Sequence, residues 1–123
     1  MIKNYLIEFK DGVTTVRFKH HPGMNDIRSA IDDVAAKNNM NELRLWDFSN
    51  VGSSLTEAEL RQLAEYAKSR FLLPSKVAIV APESLEFGLS RMYEVYREEG
   101  LVKHRVFRTE QAAYAWIKEN KTE

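Results

Sequence analysis

Lys76 to Ala81 reads KVAIVA, a short apolar run closed on its two sides by Pro74 and Pro82. A half-solvated strand alternates polar and apolar side chains, so a run without that alternation is the pattern of a central strand hidden on both faces. Such a strand needs cover above and below its sheet, and helices supply it in an α/β domain. The rest of the chain provides them. Residues 5–10, YLIEFK, and 14–20, TTVRFKH, are rich in β-branched and aromatic residues and are separated by Asp11-Gly12, a hairpin signal. After Pro22-Gly23 the period changes. Ile27, Ala30, Ile31, Val34 and Ala35 recur on one face of a helix that Asn25 or Asp26 would cap and Asn38-Asn39 would end.

ELRLWDF, residues 42–48, sets Leu43, Leu45 and Asp47 against Arg44, Trp46 and Phe48, which predicts a third strand covered on at least one face. Thr56-Glu-Ala-Glu59 is a capping box opening a helix over about 56–72 that buries Leu60, Leu63, Ala64, Ala67 and Phe71. A further helix is expected from about Ser84 to Glu98, stopped at Gly100. It would bury Leu85, Leu89, Met92, Tyr93 and Tyr96. VKHRVFR, residues 102–108, is a fifth strand whose polar content marks an edge. Thr109 then caps a last helix to about Asn120 that packs Ala112, Ala113, Trp116 and Ile117. The order β-β-α-β-α-β-α-β-α predicts an α/β fold with a mixed, mainly parallel five-stranded sheet, the first strand antiparallel at or near an edge and helices on both faces.

Size and charge narrow the partners. With 123 residues, 44% of them hydrophobic, the chain is expected to form a single domain over 1–123. Lys and Arg number 18 against 18 Asp and Glu, so no net field draws the chain to nucleic acid. The absence of Cys excludes disulfides, thiolate metal sites and a Cys nucleophile, and fits a reducing, cytoplasmic setting. MIKNYLIEFK lacks the apolar core of a signal peptide, and no run approaches a membrane span.

In sheets of this kind ligand sites gather beyond the carboxyl ends of the strands, where helix N-termini point their free N–H groups. That edge is expected to carry His20, His21 and Pro22, the stretch Asp47 to Thr56, Pro82 to Ser84, and Thr109. Adjacent His20 and His21 point apart on an extended chain and do not make a metal site, with no HExxH or His-x-His spacing beside them. Asp47 could orient one of them as a base, or hydrogen-bond the following loop. Neither a nucleophile elbow nor GxGxxG nor GxxxxGK[ST] is present, and Gly52 is too isolated for a phosphate loop. No cofactor is therefore expected. Asp32-Asp33 and Glu98-Glu99 read as surface charge on helices. Arg91, early in its helix, opposes the helix dipole and marks either a salt bridge or an anion contact. The hydroxyls of Ser49, Ser53, Ser54 and Thr56 form the main polar cluster. A hydroxyl at a helix start is a cap, and the same place would favour an added phosphate.

LWDFSNV before a capped helix, KVAIVAPESLEFGLSRMYEVY, and HRVFRTEQAAYAWI together resemble bacterial SpoIIAA-like proteins, related to the STAS (anti-sigma factor antagonist) domains and sharing features with Sec14-type lipid-binding domains. The likeness runs from about residue 43 and is most specific around Gly88 and Arg91. It implies a non-enzymatic domain that docks onto regulatory proteins. STAS antagonists are phosphorylated at a Ser in a pattern like D-x-S-x-V-x-x-x-D-S-S-G. Asp47, Ser49 and Val51 match its start, whereas GSSLTE replaces the D-S-S-G and puts Thr56 on the first Ser of that pair. Asp47, Ser49, Ser53, Ser54 and Thr56 are thus the candidate interaction or phosphorylation loop. The Sec14-like side of the likeness implies instead a lipid or small anionic ligand, at the same edge or between the second and third predicted helices, near Phe71, Phe87, Tyr93 and Tyr96. An enzyme built on Asp47 with His20 or His21 is the least favoured class. A homodimer through an edge strand or an exposed aromatic helix is also expected to be open to this fold.

Overall fold

The computed structural model describes residues 3–38, 43–49, 55–71, 75–81 and 102–119. Strands β1 (Tyr5–Lys10) and β2 (Val13–Phe18) precede helix α1 (Met24–Asn38) and strand β3 (Leu43–Asp47). Helix α2 (Glu57–Arg70), strands β4 (Ser75–Val80) and β5 (Val102–Phe107), and helix α3 (Glu110–Ile117) follow. The helix expected over about 84–98 lies outside the described residues, as do Ser53, Ser54 and Arg91.

The five strands lie side by side in chain order, β1-β2-β3-β4-β5. β1 runs antiparallel to β2, and each later neighbour is parallel. The expected mixed sheet is present, with β1 and β5 at its edges. Asp11 and Gly12 make the hairpin turn with φ of 55° and 79°. A two-residue turn of the twist-matching kind requires positive φ at both central positions, which Gly adopts freely and Asp tolerates. That tight turn pairs Lys10 directly with Val13, so β2 begins one residue earlier than its sequence pattern indicates. β2 also ends earlier, at Phe18. Past that point Asn4 holds the chain: its carbonyl accepts from Lys19 N (3.0 Å), and its side-chain amide exchanges hydrogen bonds with His20 N (2.8 Å) and His20 O (3.1 Å).

Strand alternation sorts the core into two layers. On one face Val16, Phe18, Trp46, Val77 and Ile79 pack against Ile27, Ala30, Ile31 and Val34 of α1 and Leu60, Leu63 and Ala67 of α2. On the other, Val13, Leu45, Ala78 and Val80 meet Ala113 and Ile117 of α3. Helices cover both faces, as expected, but unequally. α3 is only eight residues long and lies over β4 with β3 and β5 alongside, and of the hairpin it meets Val13 of β2.

Local signals set the helix ends. Thr56 caps α2 as the sequence predicts, with its Oγ1 accepting from Glu59 N (3.2 Å) while Thr56 N donates to Glu59 Oε1 (2.9 Å). Thr109 does the same half of the work for α3, accepting from Ala112 N (3.1 Å). α1 departs from expectation. It starts at Met24, and Asp26 acts from inside the first turn, accepting from Gly23 N (3.1 Å) and Asn4 Nδ2 (3.2 Å) instead of capping from in front. α3 ends at Ile117 and leaves Ala112 exposed.

The central strand hides a cation that its apolar appearance conceals. Lys76 is 5% exposed; its ammonium lies 4.4 Å from the centre of the Trp116 ring and donates to the Trp116 carbonyl at the end of α3. A buried ammonium needs such partners, and a helix C-terminus attracts positive charge.

Candidate functional site

The carboxyl ends of β2 and β3 are aligned by their parallel register, which sets Arg17 opposite Asp47 on the α3 face of the sheet. Asp47 is 5% exposed, and a carboxylate so deeply placed must be paired. Arg17 does this. Its Nη1 donates to Asp47 Oδ2, and the guanidinium reaches across to Glu110 in the first turn of α3, Nη1 to Oε1 at 3.1 Å and Nη2 to Oε2 at 2.7 Å. Glu8 on β1 lies 3.7 Å from Nε. One cation therefore joins three carboxylates from β1, β3 and α3. The hydrogen bonds to Glu110 are the largest cause, with the charges of Glu110 and Asp47 adding to them, and together they hold Arg17 above the ordinary guanidinium range against the opposing effect of burial.

The second oxygen of Asp47 turns to the loop. Oδ1 accepts from Ser49 N (2.8 Å) and from Ser49 Oγ, so the carboxylate fixes the first turn of the β3–α2 connection. Of the two roles open to Asp47, this is the one its geometry serves. The imidazoles of His20 and His21 are not brought to it: both residues are exposed, and the bonds at His20 come from its backbone. Arg17, and not an imidazole, stands against the Asp47 carboxylate.

Asp47 and Ser49 are thus brought together, and Thr56 stands exposed at the N-terminus of α2 with its hydroxyl committed to Glu59 N. Ser53 and Ser54, between them in sequence, and Arg91 fall outside the described residues. Sequence reasoning did not single out Arg17 or Glu110. A cation within TTVRFKH, on the face that register shares with Asp47, was the available signal.

Asp32 and Asp33 are not plain surface charge. Successive helix residues point about 100° apart, so the pair serves two neighbours. Asp33 accepts from Tyr5 Oη of β1 and pairs with Lys3, both at 2.5 Å, whereas Asp32 accepts from Tyr66 Oη of α2 and pairs with Arg70 at 3.0 Å. Burial, with the Asp33 hydrogen bond and charge behind it, pushes the Tyr5 hydroxyl above its usual range.

Between α3 and the hairpin, an open groove of about 560 Å³ is lined by Glu8, Phe9, Lys10, Asp11, Thr15, Arg17 and Tyr114. Thr15 Oγ1 and Tyr114 Oη lie 3.4 Å apart across it. Most of its lining residues are polar or charged, with Phe9 the apolar member. Among the described residues no group of three or more His, Cys, Asp or Glu is placed to hold a metal ion, and no helix is long and apolar enough to cross a membrane.

No protein-family model matches the chain, and no curated protein is significantly similar to it.

Proposed function

We propose that this chain is a non-enzymatic regulatory domain that docks a protein partner at the carboxyl edge of its sheet, through the β3–α2 connection and the first turn of α2. The observation that carries this reading is the state of Asp47. Its carboxylate is closed over by Arg17 on one side and seats Ser49 on the other, so it serves to hold a loop in place and is not free as a general base. The residues this surface would offer a partner are Ser49, seated on Asp47 at the end of β3, and the exposed Thr56 at the N-terminus of α2. The STAS-like pattern Asp47-x-Ser49-x-Val51 supports the same surface.

Phosphorylation is the regulation this surface suits, with an electrostatic constraint. A phosphate on Thr56 would meet the free N–H groups and positive end of α2, but it would also face Glu57 and Glu59 in that first turn. A partner bringing Arg or Lys to this turn would relieve that repulsion.

The test is to identify a protein that co-purifies with the chain and to compare its binding to wild type, Ser54→Glu, Thr56→Glu and Ser49→Ala. Binding altered by at least one substitution supports the surface; unchanged binding by all of them overturns it. The alternative of a lipid or small anionic ligand predicts a retained mass in native mass spectrometry of freshly purified protein.

A further inference from the structure

Among the described residues only two large apolar side chains are strongly exposed, Leu6 at 48% and Phe9 at 62%, and both belong to β1. β1 is an edge strand, and no other described element pairs with its outer side. The ladder with β2 runs unbroken from Tyr5 to Lys10, and the segment YLIEFK contains no Pro or Gly. Natural edges are guarded by prolines, bulges or charges, and this one has few of those guards. β5, the opposite edge, differs: VKHRVF places Lys103, His104 and Arg105 in succession.

The direction of the unused backbone groups follows from the hairpin. Asn4 O accepts from Lys19 N, so Asn4 and Lys19 form a bonded pair; a two-residue turn closed by Lys10 and Val13 requires the same of that pair. Even-numbered residues of β1 therefore bond to β2. Tyr5, Ile7 and Phe9 aim their N–H and C=O groups outward.

We infer that β1 pairs with β1 of a second copy of this chain, antiparallel about a two-fold axis at Ile7. A two-fold axis through such a junction is perpendicular to the sheet and keeps like faces together, so odd residues oppose odd and even oppose even. With the axis at Ile7, Tyr5 opposes Phe9 of the second copy and Ile7 opposes its own equivalent. Each of these pairs is outward-facing, adding about six backbone hydrogen bonds. On the other face Leu6 opposes Glu8 of the second copy. Moving the axis to Glu8 removes outward-facing pairs and sets Glu8 against Glu8, a like-charge clash. Hydrogen-bond direction thus centres the pairing on Ile7, the one position at which Tyr5, Ile7 and Phe9 all find outward-facing partners, and the charges permit it; the occupant these groups fit is the strand itself.

The paired edge is small, below the roughly 1,200 Å² of standard complexes, which predicts weak association. The pairing is independent of the docking surface proposed above. Sedimentation velocity from about 1 µM to about 1 mM reads it, the upper limit being the weakest association of interest. Phe9→Pro removes an outward N–H without touching the β2 ladder, and Phe9→Lys removes the exposed ring; each is expected to weaken association at least about ten-fold with the circular dichroism unchanged. Because the chain contains no Cys, register can be read by cross-linking. Leu6→Cys mixed with Glu8→Cys, both at exposed positions, is expected to form the mixed disulfide, within the Cα separation such a bond spans. A wild-type chain monomeric at about 1 mM, a dimer indifferent to both Phe9 variants, or Glu8→Cys cross-linking only to itself overturns the proposal.

Discussion

Arg17 and Asp47 are neighbours only because β2 and β3 are parallel and in register, and the guanidinium of the first closes over the nearly buried carboxylate of the second. The same guanidinium takes Glu110 in a two-pronged hydrogen bond, which ties the first turn of α3 to the middle of the sheet. Asp47 passes the constraint on to Ser49. A single cation thereby fixes the end of β3, the start of the β3–α2 connection and the position of α3.

Removing that cation leaves a carboxylate 5% exposed with no countercharge, and this strands more energy than the pair itself contributes. The Arg17 side chain is 38% exposed, so solvent softens the loss. Arg17→Met is expected to destabilise the fold by about 2–3 kcal/mol in urea unfolding, and adding Asp47→Asn to it should recover a good part of the deficit. Glu110→Gln, at a more solvated end of the network, should cost under about 1 kcal/mol. A double variant no more stable than Arg17→Met would show that the buried charge is not the source of the loss.

The elements legible in the chain were those set by near neighbours. Asp11-Gly12, the Thr56–Glu59 box, the Thr109 cap and the apolar run through Ala81 each act over a few residues, and each has its place in the structure. The Asp47–Ser49 contact, two residues apart, belongs with them. Arg17 and Glu110 stand 93 residues apart, and nothing in either segment announces the other. Lys76 looked like the ragged start of an apolar strand because its partner, the Trp116 carbonyl, is created by a helix end 40 residues away. Asp32 and Asp33 looked like solvated charge because a helix period alone does not say which neighbouring elements stand on each side.

The α2 cap separates stability from docking. Thr56 Oγ1 satisfies a helix N–H that has no partner within the helix, so Thr56→Ala should lower stability by about 1 kcal/mol, and Thr56→Ser should retain it. Thermal unfolding of the three proteins measures this. If the surface is a docking site, Thr56→Ser should also keep partner binding.

Gly12 tests the hairpin. Its φ of 79° lies in the left-handed region, and nothing lies within 4 Å of where a Cβ would stand, so only the backbone preference opposes a side chain. Gly12→Ala should therefore cost about 1 kcal/mol, with no steric addition, and Gly12→Asn less than that. A loss well above about 2 kcal/mol in chemical unfolding would mean that the turn does more than reverse the chain.

Tyr5 carries a pH dependence whose sign follows from its setting. Burial first, and then the hydrogen bond and charge of Asp33, raise its hydroxyl above the ordinary value of 10.0, so the folded state holds that proton more tightly than the unfolded chain. The contribution is fully present below the unfolded value and is lost as pH rises from about 10 toward the higher folded value. In that window the wild type should lose up to about 1.4 kcal/mol per pH unit from this group, the loss that one unshared proton imposes. Tyr5→Phe lacks the proton and the Asp33 bond. It should be less stable at pH 7, yet its stability should fall less steeply above pH 10, so the two curves converge. Parallel curves in urea unfolding across that window would show that Tyr5 keeps no extra hold on its proton in the folded state.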